Sequence, residues 1–243
     1  MRRATQRRPR GGCAFLLATS LLACAGCGGS QFGSELSARP RPRLIGQPHS
    51  TTLRVPQDER FAIALPRSTR QAGLDGTADG DATADPTGSA SATAAVKFSG
   101  TAESLFQLGH SLANGTDQQM DLDITARCHS TYRLHAEPDA QLPDAVVGLR
   151  LYVRDSRGRM LRDLVLLDQN TSNGTTQSQA EQSPRFTITL APGEFADIYI
   201  AGLAKVDIPT GRTATAELTL SGLQFEVVTQ PAPLVPAASH EPR

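Results

Sequence analysis

The chain has 243 residues, with 24 basic and 24 acidic side chains, 39% hydrophobic residues, 5% aromatic residues and no tryptophan. The neutral balance hides an asymmetry: Arg2, Arg3, Arg7, Arg8 and Arg10 crowd the start, and no acid precedes Glu35. Without those five arginines, 19 basic groups face 24 acidic ones, which argues against a nucleic-acid partner, since such binders need a basic face to displace phosphate counterions. One modest core is expected, filled by Thr, Ala, Val and Leu rather than by large rings.

Residues 13–23 (CAFLLATSLLA) form an uncharged apolar run behind the arginines, the pattern of a secretory signal. The run is too short for a transmembrane helix, which needs roughly 20 apolar residues. Leu21-Leu22-Ala23-Cys24 resembles the lipobox of bacterial lipoproteins, in which the cysteine receives a diacylglycerol and becomes the new N-terminus. The resemblance implies a signal peptide over residues 1–23 and lipidation at Cys24. Cys27, preceded by Ala25-Gly26, is the alternative. The membrane is then a partner through acyl chains, each buried methylene contributing about 0.8 kcal/mol. In enteric-type lipoproteins an Asp after the lipidated cysteine retains the protein at the inner membrane. Ala25 or Gly28 stands there, which implies the outer membrane, facing the periplasm. Residues 24–50 are the anchor and a flexible tether, in which Arg39-Pro40-Arg41-Pro42-Arg43 favours an extended, polyproline-like backbone.

Residues 51–66 carry Leu53 and Val55, a polar turn over residues 56–60, then Phe61, Ile63 and Leu65 alternating inward, which predicts a hairpin. Two strands alone are not stable in water, so the hairpin is expected to join the downstream sheet. Residues 73–95 (GLDGTADGDATADPTGSASATAA) have almost no large apolar side chain and are expected as a disordered insertion within that fold. Met120 to Cys128 alternate as a half-buried strand, with Tyr132 and Leu134 suggesting its partner. Leu149, Leu151 and Val153 alternate ahead of an Asp155-Ser156-Arg157-Gly158 turn and a strand from Met160 to Leu167. Phe186, Ile188 and Leu190 precede Pro192-Gly193, which suits a type II turn, and residues 195–200 return. Leu218, Leu220, Leu223, Phe225 and Val227 supply the last pair, broken at Gly222. With no long run of helical period, the pattern predicts an all-β fold. It is an antiparallel β-sandwich of roughly nine or ten strands, one domain over residues 51–229, followed by a disordered tail over residues 230–243.

Within that pattern, VGLRLYVRDSRGRML, a polar loop and FTITLAPGEFADIYIAG resemble the bacterial prepeptidase C-terminal domain, a small β-sandwich attached to secreted enzymes. The similarity covers residues 146–202 and implies the same fold class. The paired acids that often open the first of these strands are replaced by Val147-Gly148.

Chemistry-bearing residues are sparse. Asp75, Asp79, Asp81 and Asp85 resemble a calcium loop, but Pro86 stands where the bidentate acid of an EF-hand belongs. Cys128-His129 could pair a thiol with a base, yet adjacent strand residues face opposite sides. The histidines His49, His110, His129, His135 and His240 show no zinc spacing, although His129 and His135 could meet across a turn. Asn114, Asn170 and Asn173 open glycosylation-like sequons read as loop residues. No phosphate, dinucleotide or nucleophile-elbow motif occurs, so no cofactor and no catalytic residue is assigned. The expectation is a lipid-anchored envelope protein with a binding or structural role, its loops meeting an envelope protein or a glycan. The rival is an envelope hydrolase or other enzyme.

Overall fold

From Met120 to Ala136 every second side chain is buried, the period of two that marks a half-buried strand. That alternation recurs along the chain and sets its architecture. The computed structural model describes residues 42–45, 51–137, 144–171 and 174–232, and all of them fall within one compact unit. The fold is all-β, with no helix among the described residues. The strands are β1 (Arg43–Ile45), β2 (Thr51–Val55), β3 (Ile63–Ala72), β4 (Thr77–Asp85), β5 (Ser89–Asn114) and β6 (Met120–Ala136). They continue with β7 (Ala145–Asp155), β8 (Met160–Thr171), β9 (Gly174–Gln182), β10 (Arg185–Leu190) and β11 (Phe195–Pro231).

All eleven strands are hydrogen-bonded into one sheet, which bends twice and wraps a single large core as an antiparallel β-sandwich. The first panel runs β8–β7–β11–β5–β3, using residues 195–208 of β11 and 100–113 of β5. The one parallel pairing among the described residues, β1 on the end of β5, extends its edge. The middle panel runs β4–β5–β11–β6–β9, using residues 212–220 of β11. The third runs β2–β11–β6–β10, using residues 224–231. The bends coincide with register shifts in β11 between Ile208 and Arg212 and between Ser221 and Gln224. Gly100 (φ +138°) and Gly222 (φ +62°) hold backbone at these bends that a side chain would strain.

The stretch 73–95, expected as a disordered insertion, is ordered. Residues 77–85 form β4 and pair with the first half of β5. Ala90, Ala92 and Ala94 point into the core, at most 3% exposed, while Ser89, Thr93 and Asp81 face outward. The alternation is strict, but in alanine, glycine, threonine and aspartate. The concave side of a twice-bent sheet has least room in its middle panel, and Ala214 and Ala216 of β11 line the same face. Small side chains therefore fit where large ones would not, and the central strand β11 supplies the ladder that a free segment lacks.

Other local expectations change with the topology. Residues 51–66 are not a hairpin: β2 pairs with β11 in the third panel and β3 with β5 in the first. Phe61 joins the main core. Ile63 instead belongs to a second cluster, on the opposite face of the first panel, with Tyr152, Tyr199 and Ala201. Residues 120–136 are one strand, with no turn before Tyr132. Ala191–Glu194 does form the expected turn, closed by Glu194 N–H donating to the Ala191 carbonyl at 3.0 Å, with Gly193 at φ +75°. It carries the chain from β10 in the third panel to β11 in the first, so it changes panel and makes no hairpin. The final pair around Gly222 is one bent strand.

Candidate functional site

The second bend of β11 creates a groove on the outer face of the sheet. Because side chains alternate, Val55, Phe225 and Val227 point into the core and Arg54, Gln224, Glu226, Thr125 and Arg127 point away from it. Register then brings the outward set together. Arg54 of β2 lies opposite Glu226 of β11, Glu226 opposite Thr125 of β6, and Gln224 opposite Arg127. Together they line a groove of about 250 Å³, just past the register shift at Gly222. Gln57 completes the lining, and the strand positions Val55 and Phe225, whose side chains turn into the core, lie beneath it. Gln57 is positioned by the turn after β2, where Arg54 N–H donates to the Asp58 carboxylate at 2.7 Å and Asp58 N–H donates to the Arg54 carbonyl at 2.8 Å.

The lining is polar and mixed. Arg54 and Glu226 approach to 3.9 Å, a loose and half-exposed ion pair of small energetic weight. The Arg127 side chain makes no ion pair or hydrogen bond among the described residues. The two guanidinium groups only donate, Glu226 only accepts, and Gln57, Gln224 and Thr125 do both. Such a surface offers a ligand with many hydroxyl groups a partner at every position.

The residues singled out from sequence lie elsewhere. Cys24, Cys27, His49 and His240 fall outside the described residues. The four aspartates do not converge. Asp75 sits in the β3–β4 turn, Asp79 pairs with Arg70 at 3.0 Å, and Asp85 accepts from the Thr87 backbone and hydroxyl at 2.8 Å. Those Thr87 hydrogen bonds hold the Asp85 carboxyl below its usual pKa. Among the described residues no three His, Cys, Asp or Glu side chains are grouped to hold a metal ion. Cys128 is buried in the core, where desolvation pushes its thiol up to about 12. His129 faces outward from the same strand, so the two cannot act as a pair. His129 and His135 lie along one continuous strand, without the turn expected between them. Asn114 is no surface sequon: it is fully buried, and its amide donates to the Gln118 and Leu190 carbonyls.

His110 occupies an unforeseen setting. It is buried beneath Ala62, whose N–H donates to Nδ1 at 3.3 Å, and Nε2 lies 3.5 Å from the Glu59 carboxylate. Arg43 of β1 pairs with the same carboxylate at 2.6 Å. Desolvation lowers the His110 pKa, Glu59 opposes that shift, and Arg43 reinforces it.

The groove residues carried no sequence signal. Each reads as an ordinary outward position on a strand, and only register and the bulge gather them. No protein family and no curated protein matches the chain. Solved structures that match the chain weakly include the enzymatically active domain of tailspike protein 4 from bacteriophage CBA120, at 10% identity and TM-score 0.24, over 73% of this chain. The chain spans only 19% of that tailspike protein. The CBM22-1 xylan-binding domain of Paenibacillus barcinonensis Xyn10C is similar at 13% identity and TM-score 0.21, over 66% of this chain and 85% of that one. The family 11 carbohydrate-binding module of Clostridium thermocellum Lic26A-Cel5E is similar at 9% identity and TM-score 0.22, over 67% and 86%. At TM-scores this low the likenesses carry nothing about ligand or activity.

Proposed function

We propose that this chain is a lipid-anchored β-sandwich of the bacterial cell envelope that binds a saccharide in the groove beside Gly222. The supporting observation is the groove itself. Guanidinium, amide, hydroxyl and carboxylate groups converge there from three adjacent strands and the turn after β2. Polar groups fixed on strands need little ordering when a ligand arrives, which keeps the entropic cost of binding low. A sugar ring matches that lining, because its hydroxyls exchange hydrogen bonds with Gln57, Gln224, Thr125 and Glu226. Anchoring at Cys24, with Cys27 as the alternative, supports placement at the outer membrane facing the periplasm. It rests on the lipobox-like Leu21-Leu22-Ala23-Cys24.

Two measurements test this reading. Titration of the full chain with a panel of soluble oligosaccharides, followed by calorimetry, is expected to show saturable binding that Gln224→Ala weakens. Absence of binding across the panel overturns the saccharide assignment. Mass spectrometry of the N-terminal peptide from the native envelope is expected to show acylated Cys24 followed by Ala25. An unmodified N-terminus at another residue overturns the anchor.

A further inference from the structure

The groove has a charge imbalance that a neutral sugar would leave unused. Arg54 and Arg127 stand on the two strands that flank β11, with Glu226 and Gln224 between them. Glu226 reaches Arg54 at 3.9 Å, and Arg127 has no ion pair among the described residues. Arg185 of β10, the register partner of Thr125, is an exposed arginine on the next strand, outside the groove lining. The groove lining itself thus holds two cations and one acid, in a chain that is otherwise acidic once its leading arginines are set aside.

We infer that the groove takes a carboxylate-bearing saccharide, a uronic-acid unit, with Arg127 seating the carboxylate; this rests on the saccharide reading above. A guanidinium presents paired N–H donors in a plane that matches a carboxylate with two parallel hydrogen bonds. The single anionic charge of a uronate suits a site whose own carboxylate, Glu226, lies on the neighbouring strand. A phosphate monoester dianion would bring about twice the charge against Glu226, and its phosphoryl group has no hydroxyl to donate to it. A uronate ring carries hydroxyls beside its carboxylate, so one ligand satisfies the acceptor and the donors together. Nucleic acid is disfavoured by the acidic row that follows on the same face, where Asp121 and Asp123 are held by the Thr189 and Thr187 hydroxyls.

The test uses the full chain and two matched probes, a trimer of galacturonic acid and a trimer of galactose with the same linkage, titrated at low and at high salt. The acidic trimer is expected to bind at least about tenfold more tightly, the worth of one charge-assisted pair. The preference should shrink as salt screens the charges. Arg127→Gln is expected to remove it, with the acidic trimer losing at least about tenfold and the neutral trimer losing clearly less. Arg133→Gln, an exposed arginine on the middle panel, serves as the control and should do neither. Equal binding of the two trimers, or a preference that survives Arg127→Gln, overturns the uronate inference and leaves the saccharide reading standing. Inorganic phosphate displacing the acidic trimer at equal concentration also overturns it. Failure of every saccharide to bind overturns both.

Discussion

Phe61 and Phe225 meet edge to face, with ring centroids 5.4 Å apart and planes at 87°. Phe61 sits just before β3 of the first panel, and Phe225 lies on the third-panel part of β11. The contact therefore joins the two faces of the sandwich across the core. Phe61 is 3% exposed and Phe225 1%, and the Phe61 N–H donates to the Pro86 carbonyl in the β4–β5 turn at 2.9 Å. One residue thus ties together elements from all three panels.

Truncating that ring should be felt everywhere. Phe61→Ala is expected to cost about 3–5 kcal/mol, the usual range for a buried phenylalanine. For a domain of this size each kcal/mol shifts the melting point by roughly 2–4 °C. A single cooperative transition, lower by about 10 °C in far-ultraviolet circular dichroism, is the expected result. A separate low-temperature phase with the main transition unmoved would mean that residues 51–72 form an independent flap.

The β4–β5 hairpin permits a sharper comparison. Ala92 is fully buried and faces the core, so Ala92→Asp would place an unpaired carboxylate among apolar side chains. Burial of an unpaired charge is among the most destabilising single changes, and loss of cooperative melting is expected. Thr93→Lys lies on the exposed face between Asp81 and Glu217 and should change stability by less than about 0.5 kcal/mol. Equal tolerance of both changes would show that this segment contributes nothing to the core.

Gly202 is placed by close packing rather than by backbone conformation. Its register partner is Phe106, and a Cβ built on Gly202 would stand 2.1 Å from the end of that ring. Gly202→Ala is expected to destabilise by about 1–3 kcal/mol, as overpacked cores do. The double variant Gly202→Ala with Phe106→Leu should recover part of the loss. Additive losses in urea titrations would argue that the ring and the glycine are uncoupled.

His110 should make stability sensitive to mild acid. Burial lowers its pKa in the folded chain, while the unfolded chain protonates near the ordinary value of about 6.5. The unfolded state therefore binds more protons just below that pH, and folding stability falls as pH drops through it. Urea midpoints of the native chain are expected to decline between about pH 7.5 and about pH 5.5, one unit either side of the ordinary histidine value, and those of His110→Gln to decline less. Identical pH slopes in the two proteins would remove His110 from the explanation.

How much of this was legible from sequence depends on what kind of signal each feature leaves. Large apolar side chains at period two identified the strands around Met120, Leu149 and Phe186, and Pro192-Gly193 announced its turn, because these patterns are local. The same criterion failed for residues 77–95. There the period is equally regular, but it is written in Ala90, Ala92 and Ala94, and small apolar residues resemble low complexity when only bulk is counted. Alternation of any apolar residue with Ser, Thr or Asp would have revealed the hairpin.

By itself the sequence determined the class of fold, since side-chain alternation is a property of each strand alone. It also specified many of the positions that face the core, among them Leu53, Leu122, Leu149 and Val227, because burial follows hydrophobicity. What it could not specify was partnership. Strands β5 and β11 are long enough to serve two and three panels, and where each bends depends on which neighbours it meets. Arg54, Arg127 and Glu226 acquire a common purpose only through that pairing. A polar side chain on the outward face of a strand has the same local signature whether it meets bulk water or lines a groove. The groove is therefore a product of register and of the bulge at Gly222, which are settled when distant segments pack and the sheet closes around its core.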